Sequence, residues 1–118
     1  IHYIEDSKIK LNIFIIIYLF YKMNPSICIP KVHHSVLQKD VIDVFEKKLK
    51  IGQIDRIDIV QKKFNKRVFI HFKKWNSESH EDSDKFLKNI LENNIVKVVY
   101  DFPWYWKCCN SKIPKPDF

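Results

Sequence analysis

The sequence predicts a single α+β domain in which two helices pack on one face of an antiparallel sheet. The chain of 118 residues is 46% hydrophobic and 14% aromatic, which is enough for one core and no more. Short segments with alternating apolar and polar residues flank two segments whose apolar residues recur at helical spacing. Turn-forming residues separate these segments, so the pattern gives the order of the elements.

The first predicted strand is Ser26–Pro30. Ile27 and Ile29 share one of its faces and Cys28 lies on the other, because strand side chains alternate. A helix follows, and Ser35 with Gln38 predicts its start as a capping box. Its apolar residues recur at helical spacing at Leu37, Val41, Val44, Phe45 and Leu49.

Gly52 is the only glycine in the chain, and we expect it to end the first helix at a position that needs positive φ. Ile54–Val60 alternates as the second strand, with Ile57 and Ile59 inward and Arg56 and Asp58 outward. The lysine-rich segment 61–66 then turns the chain back.

The third strand lies within Asn65–Phe72 and has two different faces. Val68, Ile70 and Phe72 point towards the core. Arg67, Phe69 and His71 point the other way and place a cation, a flat ring and an imidazole in a row. Such a row is suited to unstacked nucleobases and phosphates.

A second helix is predicted after the polar linker Asn76–Asp82, with Asp82 or Ser83 as its cap. Its buried stripe is Phe86, Leu87, Ile90 and Leu91. Asn93-Asn94 ends it, because asparagine tolerates left-handed geometry, and Val96–Tyr100 is the fourth strand. The order βαββαβ predicts a ferredoxin-like sandwich, a four-stranded antiparallel sheet with both helices on one face and the opposite face open.

The third strand resembles that of the RNA-recognition motif, and the resemblance covers residues 26 to about 101. The family signature there is basic-Gly-aromatic-small-aromatic-aliphatic-x-aromatic. Residues 65–72 match its last half at Phe69, Ile70 and Phe72. The resemblance implies that single-stranded RNA binds on the open sheet face.

The first half of the signature departs from the family. Asn65, Lys66 and Arg67 stand at the basic, glycine and first aromatic positions, and Cys28 replaces the stacking aromatic of the first strand. Phe69 is the one usual stacking ring that remains. Because each stacked base contributes about 1–3 kcal/mol, most of the sequence-reading power is lost. Arg67 partly substitutes, since a guanidinium plane stacks on bases and binds phosphate.

Positive charge surrounds this strand. The net charge is +7, and the segment 62–74 carries lysines and arginine without a carboxylate, which favours polyanions. The predicted contacts are Phe69 as the stacking ring, Arg67, Arg56, His71 and Cys28 on the sheet, and Lys62, Lys63 and Lys66 at phosphates. The alternative is a solvated loop whose lysines serve solubility.

The C-terminal segment contains Trp104 and Trp106 on one side of an alternating run, which predicts a fifth strand or a ribbon after the fourth. One ring completes the core; the other joins Phe69 as a second stacking platform, or the segment covers the sheet face. Residues 110–118 are predicted to form a flexible basic tail. The segments 27–30 and 101–107 also resemble RNA-recognition-motif-like proteins predicted in large DNA viruses.

Residues 1–23 differ from the rest of the chain. Their apolar run at 11–21 is shorter than the about 20 residues that a membrane-spanning helix needs, and the only methionine is Met23. We expect translation to start at Met23 and the domain to span 24–109, in which case no membrane is involved. The alternative is a short anchor or an additional apolar helix.

Catalytic and metal chemistry have little support in the sequence. Cys28, Cys108 and Cys109 lack the spacing of a zinc site or a disulfide framework, and His33-His34 have no third ligand at metal spacing. No glycine-rich phosphate loop is present. We therefore expect a non-enzymatic protein without cofactors in a reducing, intracellular compartment.

Two hypotheses follow from different classes of function. The first is a module that binds single-stranded RNA weakly, through charge and the sheet face. The second is a protein-interaction module of the same fold without RNA binding, whose sheet or helix face docks a partner. The sequence leaves the oligomeric state open.

Overall fold

The computed structural model describes residues 26–76 and 81–111, which form an α+β fold of five antiparallel strands and two helices. The strands are β1 (Ser26–Val32), β2 (Gly52–Gln61), β3 (Lys66–Trp75), β4 (Val96–Asp101) and β5 (Trp104–Asn110). The first helix, α1, consists of an α-helical turn at Gln38–Ile42 and a π-helical segment at Asp43–Lys48. The second helix, α2, spans Glu81–Leu91.

The strand order across the sheet is β2-β3-β1-β5-β4. The segment around Trp104 is therefore neither a ribbon after the last strand nor a cover over the sheet. It is a full strand that pairs with β1 on one side and β4 on the other. This strand buries both Trp106 and Cys108, whereas β4 buries only Val98. The inner position of β5, with β4 at the edge, therefore removes more apolar surface from water.

Both helices pack on the same face of the sheet around Phe45 of α1. Its ring lies 6.3 Å from Phe72 of β3 and 6.2 Å from Phe86 of α2, and it stacks on Trp106 of β5 at an interplanar angle of 9°. The inward strand residues predicted from alternation, Ile27, Ile29, Val68, Ile70 and Phe72, are fully buried. One core thus joins all layers of the fold.

The start of α1 differs from the predicted capping box. Ser35 does not cap the helix, because its hydroxyl is hydrogen-bonded to His33 Nδ1 at 2.8 Å. The chain enters the helix at Gln38, and the Asp40 carboxylate accepts the backbone N–H of Leu37 at 2.8 Å. An acidic side chain in the first turn therefore caps this helix from within.

The role predicted for Gly52 is also wrong. Its φ is not positive, and the left-handed residue after α1 is Lys50, with φ of 51°. Gly52 begins β2 opposite Trp75. A Cβ atom at this position would clash with the carbonyl oxygen of Lys74 and lie 3.1 Å from Trp75 Cα. Close approach of two strands, rather than a turn, requires glycine here.

The second helix shows one correction and one confirmation. Ser83 is not the cap, because it lies inside α2, is 1% exposed and donates its hydroxyl to the carbonyl oxygen of Lys50 at 3.1 Å. Asn93, two residues after the end of the helix at Leu91, has φ of 61°, as its tolerance of left-handed geometry predicts.

Several expectations fall outside the described residues. These are the leader at 1–23 with the start at Met23, the tail from residue 112 onward, and the linker residues 77–80. Within the described ranges, no helix is long and apolar enough to cross a membrane.

Gly52→Ala is expected to destabilise the protein by about 1–3 kcal/mol, because the added Cβ forces β2 and β3 apart. Urea unfolding measures this change. Gln53→Ala is the matched control, since Gln53 is the exposed neighbour, and it should change stability by no more than about 0.5 kcal/mol. A Gly52→Ala variant as stable as the parent chain would contradict the tight approach of the strands.

Candidate nucleic-acid interface

The surface of interest is the outer face, the side of the sheet opposite the helices. Its two halves differ. The β2–β3 half carries the outward residues predicted from the sequence, namely Arg56, Asp58, Arg67, Phe69 and His71. The other half is formed by β1, β5 and β4.

His71 is held in a polar network that spans three strands. Its Nδ1 lies 2.6 Å from Ser26 Oγ on β1, and its Nε2 lies 3.1 Å from Asp58 Oδ2 on β2. Arg56 Nε donates to the other carboxylate oxygen of Asp58 at 2.8 Å. Because a carboxylate only accepts, Nε2 carries a proton, and in the neutral ring Nδ1 accepts the Ser26 hydroxyl.

This network corrects the role predicted for His71. The side chain is 1% exposed and both ring nitrogens are occupied, so it has no free position for a ligand. Arg56 is likewise paired with Asp58. The network ties β1, β2 and β3 together, and hydrogen bonds to a charged group contribute about 1.5–3 kcal/mol each.

The Phe69 side chain is also largely buried. It lies on the outer face directly between Asp58 and Cys28 in the strand register, but it is only 9% exposed. Stacking needs an accessible ring face, so this structure does not present Phe69 as the predicted platform. Arg67 is half-buried, and its Nε is buried without a hydrogen-bond partner among the described residues.

The three lysines predicted as phosphate contacts lie near the β2–β3 turn in different states. Lys66 donates from Nζ to the carbonyl oxygen of Val36 at 2.9 Å. Lys63 is exposed, with Nζ 5.3 Å from the centre of the exposed Phe64 ring. Lys62 is half-buried. Of the three lysines, Lys63 is thus the most accessible to a phosphate group.

The other half of the outer face contains a groove of about 520 Å³, here called the β5 groove. It is lined by Pro30, Lys31, Ile95, Trp104, Tyr105, Lys107 and Cys109. Trp104 is 64% exposed and Tyr105 is 43% exposed. Two accessible aromatic rings and two lysines therefore meet in one concave surface.

Lysine charge is concentrated beside these rings. Lys97 of β4 and Lys107 of β5 are directly opposite in the strand register, and Lys97 Nζ lies 5.0 Å from the centre of the Tyr105 ring. No carboxylate among the described residues forms an ion pair with Lys31, Lys97 or Lys107. Like charges opposite each other destabilise a strand pair, so a bound anion would relieve this repulsion.

The two tryptophans of β5 differ in burial. Trp106 is 3% exposed and lies between Phe45 and Tyr100, with its ring centre 4.5 Å from that of Tyr100. It is therefore the ring that completes the core, and it is not available as a stacking platform. Trp104 remains accessible, but it lines the β5 groove and does not join Phe69.

The sequence prediction missed Lys31, Lys97, Tyr105 and Lys107. A signal was present, because alternation with Trp106 and Cys108 inward places Tyr105, Lys107 and Cys109 on the opposite face. Alternation alone does not predict that this strand pairs with β1. That pairing brings Pro30 and Lys31 to the same groove.

A second groove, of about 590 Å³, lies between α1 and the β4–β5 hairpin. Its lining includes His33, Asp40, Asp43 and Asp101, so its charge is unfavourable for a polyanion. In the described part of the chain, no three His, Cys, Asp or Glu residues are grouped to hold a metal ion.

Because Trp106 is buried and Trp104 is exposed, their replacement by alanine should change stability by very different amounts. Trp106→Ala should destabilise the protein by about 3–5 kcal/mol, because it opens a cavity beside Phe45 and Tyr100. Trp104→Ala should change stability by no more than about 0.5 kcal/mol. Urea unfolding measures the free energy of unfolding of both variants. Trp106→Phe keeps a ring in the core, so its loss of stability should lie between those of the two alanine variants. Equal losses at both positions would contradict the assignment.

Comparison with known proteins leaves the family open. No protein-family model, curated protein or solved structure matches the chain. The resemblance to the RNA-recognition motif therefore stays a prediction, and the function is inferred from the chain's own geometry.

Proposed function

We propose that this protein binds single-stranded RNA weakly, with the bases on Trp104 and Tyr105 in the β5 groove. The observation that carries the proposal is the combination of two accessible rings with Lys31, Lys97 and Lys107, none of which is paired with a described carboxylate. Proteins that bind single strands combine aromatic platforms with a cationic groove in this way.

The strand order supports a ferredoxin-like, RNA-recognition-motif-like fold for this module. β3 lies between β1 and β2, and β1 lies between β3 and β5. α1 connects β1 and β2, two parallel strands separated by β3, which is the split βαβ arrangement. α2 leads from β3 to the edge strand β4, which is antiparallel to β3. The next strand, β5, lies parallel to β3 and is separated from it by β1. In this interpretation β5 is the fourth strand of the family, and β4 is an added edge strand that widens the outer face.

The groove favours charge and stacking over sequence reading. Its cations are lysines, which act as point charges rather than as planar, bidentate readers of bases. The arginines of the outer face lie in the β2–β3 half, where Arg56 is paired with Asp58. We therefore expect binding that depends strongly on salt and little on base sequence.

Fluorescence anisotropy with labelled, mixed-sequence single-stranded RNA tests the proposal directly. At low salt we expect saturable binding that weakens as salt is added. Duplex RNA of the same length is the matched competitor, and it should compete poorly because its bases are stacked and unavailable to Trp104 and Tyr105. Absence of measurable affinity at low salt would refute the proposal.

Trp104→Leu is expected to weaken RNA binding by about 1–3 kcal/mol, because it removes a stacking ring while keeping an apolar side chain. Trp104→Phe keeps a ring and should retain most of the affinity. Anisotropy titrations of the three proteins separate stacking from simple apolar contact. Equal affinities of the Leu and Phe variants would contradict base stacking at this position.

Lys107→Gln should reduce the dependence of affinity on salt, because each phosphate contact contributes a slope of about 0.7 in log affinity against log salt for single strands. Lys88→Gln is the charge-matched control, since Lys88 is an exposed residue of α2 on the other side of the sheet. Titrations at four or more salt concentrations measure both slopes. An unchanged slope for Lys107→Gln would place the phosphates elsewhere.

An apolar edge favours the second candidate function, protein docking. Ile95, Val99 and Phe102 are 67%, 51% and 87% exposed and lie on or beside β4, and Ile95 also lines the groove. Accessible apolar clusters of this kind mark interaction surfaces. Phe102→Ser distinguishes the candidates, because Phe102 is exposed but does not line the groove: it should reduce docking of a protein partner but leave RNA affinity nearly unchanged.

A further inference from the structure

Two of the three cysteines face each other across β1 and β5. Cys28 and Cys109 are register partners in this antiparallel pair. The backbone N–H of Ser111 donates to the carbonyl oxygen of Ser26 at 3.0 Å, which fixes the phase of the ladder. Because hydrogen-bonded and non-hydrogen-bonded pairs alternate, Cys28 and Cys109 form a hydrogen-bonded pair with Cα atoms about 5.5 Å apart. Disulfides span Cα separations of about 4.4–6.8 Å.

The two thiols lie on the same face and in mutual contact range. Both residues are half-buried, Cys109 lines the β5 groove, and its Sγ lies 3.5 Å from the carbonyl oxygen of Cys28. Burial raises the pKa of the Cys28 thiol to about 11, and the neighbouring Cys109 thiol adds to the increase. Because Cys109 lines the β5 groove, a dissolved disulfide can reach its thiol there, and Cys28 is positioned to resolve what Cys109 forms.

Cys108 does not compete for either thiol. Its side chain points into the core and is fully buried, and this burial raises the pKa of its thiol strongly. Neighbouring residues on a strand face opposite sides, so Cys108 and Cys109 are directed apart. Geometry and reactivity thus select one pair out of the three possible pairs.

We propose that Cys28 and Cys109 form a reversible cross-strand disulfide when the protein meets a low-molecular-weight disulfide such as oxidised glutathione. The Cys109 thiolate attacks one glutathione sulfur and forms a mixed disulfide, which releases the first glutathione thiolate. The Cys28 thiolate then attacks the Cys109 sulfur and displaces the second glutathione. The two cysteines lose two electrons and two protons, and one oxidised glutathione becomes two reduced molecules.

The position in the ladder makes this bond easy to reverse. At a hydrogen-bonded pair the Cβ atoms lie towards the far end of the about 4.5–5.5 Å range, whereas a relaxed disulfide needs about 3.5–4.5 Å. Closing the bond draws β1 and β5 together and stores strain. Strained disulfides are reduced more readily than structural ones, so mild thiol treatment should reopen this bond. The inference does not depend on RNA binding.

Intact-mass measurement and peptide mapping of the full chain test the proposal. Reduced protein is incubated with oxidised glutathione, then digested without reducing agent. We expect the loss of two hydrogen atoms per chain, one linked peptide pair containing Cys28 and Cys109, and complete reversal by dithiothreitol. In denaturing urea this preference for Cys28 with Cys109 should be lost, because the folded register creates it.

Two variants separate the roles of the thiols. Cys108→Ala should form the same disulfide as the parent chain. Cys28→Ser should stop at a stable glutathione adduct on Cys109, since the resolving thiol is gone. The proposal is overturned if the parent chain accumulates glutathione adducts without an internal disulfide, if Cys108 is the partner that becomes linked, or if the products are intermolecular.

Discussion

The antiparallel pairing of β5 with β1 determines which side chains of β5 enter the core and which remain on the outer face. It fixes the phase of β5, so that Trp106 and Cys108 enter the core while Tyr105, Lys107 and Cys109 line the outer face. A shift by one residue would exchange these two sets. The stacked rings of Phe45, Trp106 and Tyr100 hold the register from the core side. The same register creates both the β5 groove and the Cys28–Cys109 pair.

The two halves of the outer face use their polar side chains differently: one half bonds them to each other, and the other leaves them accessible. In the β2–β3 half, Asp58 binds Arg56 and His71, and His71 reaches Ser26. Polar side chains that would otherwise meet a ligand are thus used to join three strands. In the half formed by β1, β5 and β4, lysines and aromatic rings remain accessible. Most buried polar groups are paired within the protein, whereas accessible ones are free to bind another molecule.

Sequence periodicity predicted the local structure well and the assembly of the sheet less well. Alternation placed Ile27, Ile29, Val68, Ile70 and Phe72 in the core, and helical spacing found α1 and α2. Strand order was harder, because the hairpin formed by β4 and β5 offers two strands of similar length for the place next to β1. Burial of Trp106 decides between them, and it depends on contacts with Phe45 that lie 61 positions away in the chain. The roles of Gly52 and His71 were missed for the same reason, since both follow from cross-strand partners.

Chemical shift mapping of the isotope-labelled protein with single-stranded RNA shows which half of the outer face binds the RNA. Binding in the β5 groove should shift the backbone amides of β5 and β4 around Tyr105, Lys107 and Lys97, together with that of Lys31. The amides of Phe69 and His71 should stay nearly unchanged, since their side chains are buried. Shifts centred on Phe69 and His71, with Tyr105 and Lys107 unaffected, would place the RNA on the β2–β3 half and refute binding in the β5 groove.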